Sequence, residues 1–369
     1  MTSKPVKVGV IGCGFLSQSV HLPNFADLAG CRMVALADKR IGLTKKVAAQ
    51  YGIPRAYSSI AELLADDEVE AVIMIVPYSL NPKLAMEVVK AKKHIFIEKP
   101  MALCSQDADK MLIEAGKNGS NLMVGYMRRF DTGCEEAKKL IERARSYLGE
   151  ITFARVHNFT GDWRAGFSRK IASDPAGESA PEQAANLPDF VAAKDKDVYN
   201  GTVGNFCHDI NLMRFLLGDP AAVRHCSIME GKDMYTARIA AIFDYVKFNA
   251  VFETGGIQSE WWDEEVKVYF EKGWIEIKLP PPLLQNAPAR VTVHINGKGI
   301  EQLAPKWSWS FQREADHFIA SIAKNQDFIS SGEDSRKDLL VFEAMYRSFS
   351  SNTRVEIRNQ IMSMSRKEA

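Results

Sequence analysis

The chain has 369 residues, with 47 basic against 46 acidic side chains, a formal net charge of +1 and 46% hydrophobic residues. That balance excludes the strong positive field of a protein that binds nucleic acid or an anionic membrane, and no apolar run is long enough to span a bilayer. The length allows two domains.

Met1–Lys7 carries charge but no secretory apolar core. Val6–Ile11 reads as a buried strand that stops at Gly12-Cys13-Gly14-Phe15-Leu16-Ser17, after which the polarity turns helical. A strand that ends in glycines and enters a helix presents backbone N–H groups to a pyrophosphate. A second apolar run, Met33–Ala37, closes on Asp38, about where a carboxylate meets a ribose 2′-hydroxyl. Further strands are expected at Ala71–Val76, His94–Ile97 and Asn121–Val124. Amphipathic stretches such as Ile60–Leu64 and Ala85–Val89 fall between them. Strand and helix in alternation imply a parallel sheet covered on both faces, with ligands beyond the carboxyl ends of its strands. Gly12, Asp38, Pro77, Glu98 and Gly125 lie at those ends.

After about residue 150 the pattern changes. Strand-like runs at Ile151–Phe159, Ala237–Phe243, Lys247–Phe252, Val266–Phe270, Trp274–Ile277 and Val291–Ile295 have few helices between them, which predicts an antiparallel sheet with one covered face. The main helix of this half is expected over Asn205–Leu217, ended by Gly218 and Pro220. Phe311–Ala323 is amphipathic and is placed against this sheet. Residues 165–200 read as a long polar excursion, and Met362–Ala369 as a frayed end. The fold class is therefore α/β. A doubly wound, Rossmann-type parallel sheet forms a dinucleotide-binding domain over 1–125. An α+β domain with a large, mostly antiparallel sheet follows over 126–369, for substrate binding and oligomerisation. The open face of that sheet points to a homo-oligomer, dimer or tetramer. The six cysteines (13, 31, 104, 134, 207 and 226) are scattered without a CxxC pair, which suits reduced thiols in the cytoplasm and no metal site.

Two side chains stand out for chemistry. Lys99, after the strand His94–Ile97 and before Pro100, is at the cofactor edge of the sheet, where an ammonium stabilises alkoxide character. An arbitrary lysine is a solvated surface charge; this position argues otherwise. His208 shares a helix face with Gly204, Asn211 and Leu212. A lone histidine in an apolar helix is usually a core residue, but an imidazole near Lys99 and a hydride donor suits a general base.

Gly12-Cys13-Gly14, Asp38, Glu98-Lys99-Pro100, Gly125-Tyr126-Met127-Arg128-Arg129-Phe130-Asp131, Phe311-x-x-Glu314-x-x-His317-Phe318 and Gly332-Glu333-Asp334 together resemble the Gfo/Idh/MocA oxidoreductases over nearly the whole chain. The resemblance implies a nicotinamide cofactor and the oxidation or reduction of a sugar-like hydroxyl, with Lys99 the catalytic lysine and His208 the catalytic histidine. The chain departs from the family in three places. Gly204 and Asn211 stand where the family commonly has aspartates, and Asn81 where similar proteins often have histidine.

The cofactor-binding candidates are Gly12, Gly14, Phe15, Leu16, Asp38, Lys39, Arg40, Val76, Pro77, Asn81, Glu98, Lys99, Met127 and Arg128. Asp38 favours NAD, while Lys39 and Arg40 leave NADP open as partners for a 2′-phosphate. The substrate-binding candidates are Tyr126, Trp163, Arg164, Asn205 and His208. All six tryptophans follow residue 160. Trp163 is the one expected to cover a sugar ring, and Trp274 to pack in the sheet. Arg129 is expected to pair with Asp131 or Glu98. The leading reading is an NAD(P)-dependent dehydrogenase for a secondary alcohol of a sugar, glycoside or cyclitol, with ring carbon 3 of a glycoside as one version. The alternatives are a nucleotide sensor or scaffold that has lost activity, and a reductase of a non-sugar substrate.

Overall fold

The computed structural model describes residues 4–173, 186–229, 237–256 and 260–357. The chain begins β1 (Val6–Ile11), a π-helical turn (Ser17–His21), α1 (Leu22–Ala26), β2 (Cys31–Ala37), α2 (Ile41–Tyr51), β3 (Arg55–Tyr57), α3 (Ile60–Leu64), β4 (Ala71–Met74), α4 (Asn81–Lys90), β5 (His94–Glu98), α5 (Ser105–Asn118) and β6 (Leu122–Gly125). It continues α6 (Thr132–Leu148), β7 (Ile151–Thr160), α7 (Lys196–Leu217), β8 (Ala222–Met229), β9 (Arg238–Asp244), β10 (Asn249–Gly256), β11 (Asp263–Phe270), β12 (Gly273–Lys278), β13 (Arg290–Ile295), β14 (Gly299–Gln302), α8 (Ser310–Lys324), α9 (Gly332–Ser351) and β15 (Val355–Glu356).

These elements form two compact units, and the division is not a single cut near residue 125. The first unit holds residues 4–126, 168–173, 186 and 311–336. The second holds 127–167, the described parts of 187–310, and 337–357.

In the first unit six parallel strands lie in the order β3-β2-β1-β4-β5-β6. The strands are short apolar runs because helices cover both faces; Ala71–Met74 is buried at every residue. The expected strands are present, with β3 added as a short edge strand that Arg55-Ala56-Tyr57 was too brief to signal. α8 departs from expectation. Its apolar stripe packs in this unit, where Phe318, fully buried, meets Phe96 edge-on at 5.7 Å and Phe25 at 6.3 Å. Burying a phenyl ring is worth roughly 1.5–3 kcal/mol. Amphipathic periodicity shows that a helix needs a partner but not which one.

In the second unit nine strands run β14-β13-β12-β11-β7-β10-β9-β8-β15. Every neighbouring pair is antiparallel except β10 with β7. Burial alternates along β11 and β10, so one face is covered and the other more open. Trp274 stacks on His294 across the β12–β13 pair, with ring centres 5.5 Å apart, as expected of a packing residue. β8, β14 and β15 were not anticipated, nor was α9. α7 starts at Lys196, nine residues before the expected start. Residues 196–200 therefore belong to a helix and not to the polar excursion, because Tyr199 is buried against Tyr346 and pulls that first turn into the core. The rest of that excursion is described only to residue 173 and from 186, and Met362–Ala369 lies outside the described residues.

Candidate active site

The glycine turn is shaped by a close backbone approach. Gly12 adopts φ +92°, and a Cβ there would lie 2.1 Å from the carbonyl oxygen of Ile75. No L side chain fits that space or favours that conformation. Nothing lies within 4 Å of where a Cβ of Gly14 would be, so the backbone is bare on that side. Gly14, Phe15 and Leu16 are half-buried, and Val76 and Pro77 stand at the partly open end of β4. The helix after the turn contains a π-helical stretch, a feature common at functional sites. There Ser17 Oγ donates to Gly12 O (2.7 Å). Gln18 Nε2 donates to Cys13 O (2.8 Å) and Ala172 O (3.0 Å), and Gln18 Oε1 accepts from Ala172 N (2.8 Å). The segment ending at Ser173 is thereby tied to the glycine turn.

Asp38 ends the second strand and is heavily engaged. Its carboxylate accepts from Cys13 N (3.0 Å), Arg40 N (3.0 Å), Arg40 Nε (2.9 Å) and Arg40 Nη2 (2.8 Å). Burial alone would raise its pKa, but the side chain and backbone of Arg40 outweigh burial and hold it well below the usual carboxylate range. Burial, and then Asp38, push the neighbouring Cys13 thiol up to about 12, which leaves it no nucleophile at neutral pH. Lys39 is exposed. These features fit a dinucleotide: a bare backbone turn, a helix N-terminus, and an ionised carboxylate on the neighbouring strand.

Three strand positions along the same edge, Glu98-Lys99-Pro100 form a turn with a cis bond between Lys99 and Pro100. Lys99 is half-buried. Its N–H donates to Glu98 Oε2 (3.1 Å), and Glu98 Oε1 pairs with His21 Nε2 (2.7 Å). Asn81 Nδ2 donates to Glu98 O and Pro100 O, both at 2.9 Å. Asn81 and Glu98 were expected to touch cofactor; the structure corrects both. Asn81 has no exposed surface and Glu98 only 6%, and their polar atoms hold the turn from beneath. His21, which no motif flagged, completes that support.

Arg128 is likewise corrected. It is buried in the second unit, where its guanidinium pairs with Glu264 and donates to Pro280 O (2.9 Å). Met127 and Tyr126 are buried core side chains rather than surfaces offered to a ligand. Arg129 donates to Asn211 Oδ1 (2.6 Å), while Asp131 caps α6 by accepting from Gly133 N (2.8 Å) and Cys134 N (3.1 Å).

His208 and Asn205 sit one turn apart on α7, both half-buried. Asp209, missed by the sequence reading, is buried beside His208 in the chain. Both its oxygens accept from Asn158 Nδ2 at 3.1 Å. Burial, and then Glu264, raise its pKa well above the ordinary range. Glu264, which also accepts from Trp262 Nε1 (3.0 Å), is raised by burial and restrained by Arg128. Two buried acids share one arginine in this cluster, which disfavours ionising both. Trp163 is exposed, and the Arg164 guanidinium carbon lies 5.1 Å from its ring centre.

Residues 6–126 match the sequence model described as the oxidoreductase family with an NAD-binding Rossmann fold. Over 96% of its length the chain is 23% identical to the whole of myo-inositol 2-dehydrogenase of Thermotoga maritima. Among solved structures it resembles aldose–aldose oxidoreductase of Caulobacter crescentus (TM-score 0.75, 22% identity, 96% of this chain and 100% of that one). It also resembles an oxidoreductase from Agrobacterium radiobacter in complex with NAD+ and L-tartaric acid (TM-score 0.74, 19% identity, 97% and 100%). These likenesses support the two-part fold, and the matched segment is an NAD-binding Rossmann unit.

Proposed function

We propose, starting from the match of residues 6–126 to the oxidoreductase family with an NAD-binding Rossmann fold and the likeness of the chain to myo-inositol 2-dehydrogenase, that this chain oxidises a secondary hydroxyl of a sugar, glycoside or cyclitol. The observation that carries this reading is the Lys99 turn, built by Glu98, His21 and Asn81 at the carboxyl edge of the sheet that also carries the glycine turn. The sugar-like substrate is supported by relatives named for myo-inositol and aldose.

Gly12, Gly14, Phe15 and Leu16 hold the pyrophosphate side of the cofactor, and Asp38 its ribose. A nicotinamide nucleotide bound there supplies the acceptor of a hydride. Lys99 donates a hydrogen bond to the substrate oxygen and stabilises its developing negative charge. His208 accepts the hydroxyl proton as general base. Loss of a hydride to that nucleotide and of a proton to His208 would balance the two-electron oxidation of the alcohol to a carbonyl. Asn205, Trp163 and Arg164 contribute substrate contacts. The six described free cysteines suit a cytoplasmic, reducing setting, and the more open sheet face suits a homo-oligomer.

Reduction of NAD should be seen with at least one member of a panel of sugars, glycosides and cyclitols, and His208→Ala should lower that rate by about 10²-fold or more. Cofactor binding with no turnover on any of them would replace this reading with a nucleotide sensor. Turnover on an unsaturated or non-sugar carbonyl alone would replace it with a reductase of another substrate class.

Cofactor choice has its own test. Asp38→Ala removes a carboxylate that repels a 2′-phosphate and that pairs with Arg40. The ratio of NADP to NAD affinity should rise by about tenfold or more in titrations with both. An unchanged ratio would remove Asp38 from the adenosine ribose.

A further inference from the structure

Glu314 lies on α8 with no exposed surface, and neither carboxyl oxygen meets a hydrogen-bonding atom among the described residues. The hydride transfer set out above does not use it. One turn before it, Phe311 sits edge-on to His21 at 6.0 Å; one turn after it, Phe318 packs on Phe96 at 5.7 Å. Helix positions three and four apart share a face, so Glu314 enters the compartment formed by the π-helical turn and the end of β5. Glu98, two residues past Phe96 and on the same side of β5, stands there. Its carboxylate already holds His21 Nε2 at 2.7 Å and the Lys99 N–H at 3.1 Å.

We propose that Glu314 is a positioning residue for the turn that carries Lys99, acting through Glu98 and His21. Two buried carboxyl groups close together do not both ionise cheaply. Burial first, and then the Glu98 charge, push Glu314 well above the ordinary carboxylate range. Its charged neighbour on β5 is Glu98, which pairs with His21 of the π-helical turn. On α8 itself Arg313 and His317 are half-buried and Asp316 is exposed. As a neutral acid Glu314 leaves Glu98 free to hold the Lys99 backbone. Ionised, it repels Glu98 from that N–H and loosens the turn.

The inference rests on the reactive role given to Lys99, but its test needs no substrate. The folded chain binds a proton at Glu314 that the unfolded chain releases at ordinary carboxylate pH, so this residue's contribution to stability falls as pH rises above the unfolded value. Glu314→Gln is always neutral and lacks that slope. The melting temperature of Glu314→Gln relative to the wild type should therefore climb from mildly acidic to alkaline pH. Hydrogen exchange at the Lys99 amide, corrected for the intrinsic effect of pH, should lose about tenfold protection in alkaline wild type and stay level in Glu314→Gln. Should that variant fail to fold, Glu314→Leu, neutral as well, carries the same two readouts. A melting difference that does not vary with pH, or the same Lys99 protection in variant and wild type at every pH, overturns the proposal. Both expected results together with no turnover on any alcohol would support it and strike only the reaction proposed for Lys99.

Discussion

Lys99→Ala should reduce turnover on the alcohol substrate by about 10³-fold while NAD still binds within about tenfold of the wild-type affinity. The separation of the two effects follows from how the turn is built. Asn81 grips the carbonyls of Glu98 and Pro100, and Glu98 grips the Lys99 backbone N–H. These contacts run through the backbone of the turn, so they remain when the lysine side chain is shortened to alanine. On the role proposed for Lys99, what is lost is a donor to an oxygen that becomes negative in the transition state. Lys99→Arg keeps the charge but spreads it over a planar fork of different reach, and should recover only part of the rate. Single-turnover reduction of NAD, compared with cofactor titration on the same samples, checks both halves. Wild-type turnover in Lys99→Ala would remove the lysine from the chemistry.

The strand ends were legible in the sequence because a buried parallel strand is a short apolar run and its end is marked by a residue that cannot continue it: Gly12, Asp38, Glu98. The Lys99 turn could be located for the same reason. What holds that turn was not legible. Asn81 and His21 come from separate helical segments, and they grip the turn and Glu98 through contacts that no local pattern records. Asn81 read as a cofactor ligand because it follows a strand end, yet it is wholly buried. α8 was assigned to the wrong sheet since its stripe of Phe311, Ala315 and Phe318 suits any apolar surface. Asp209 was overlooked beside the more conspicuous His208, although a carboxylate in the middle of an apolar helix is a costly choice that asks for a partner; here that partner is Asn158.

The departures at Gly204 and Asn211 take carboxylates away from the helix face of His208. For Asn211 the structure gives another reason. The side chain is 1% exposed and bridges two groups of opposite need: its Oδ1 accepts from Arg129 Nε at 2.6 Å, and its Nδ2 donates to Asp338 Oδ2 at 2.8 Å. Asp338, fully buried, is also paired with Arg214, which in turn donates to Asp219 Oδ1 at 2.8 Å. An amide serves both neighbours; a carboxylate accepts from the arginine but faces Asp338 with no proton to give. Restoring the aspartate typical of the family, by Asn211→Asp, should therefore destabilise the protein by about 2 kcal/mol, or roughly 5 °C in melting temperature, with no gain in turnover. The penalty belongs to the pair. Asp338→Asn added to Asn211→Asp returns one donor and one acceptor to the contact, so the double variant should be less destabilised than the sum of the two single ones. Thermal melts of the three variants measure this directly. A rise in turnover in Asn211→Asp at undiminished stability would mean that position 211 orients the histidine after all, and that the amide marks a weakened catalyst rather than a fitted core.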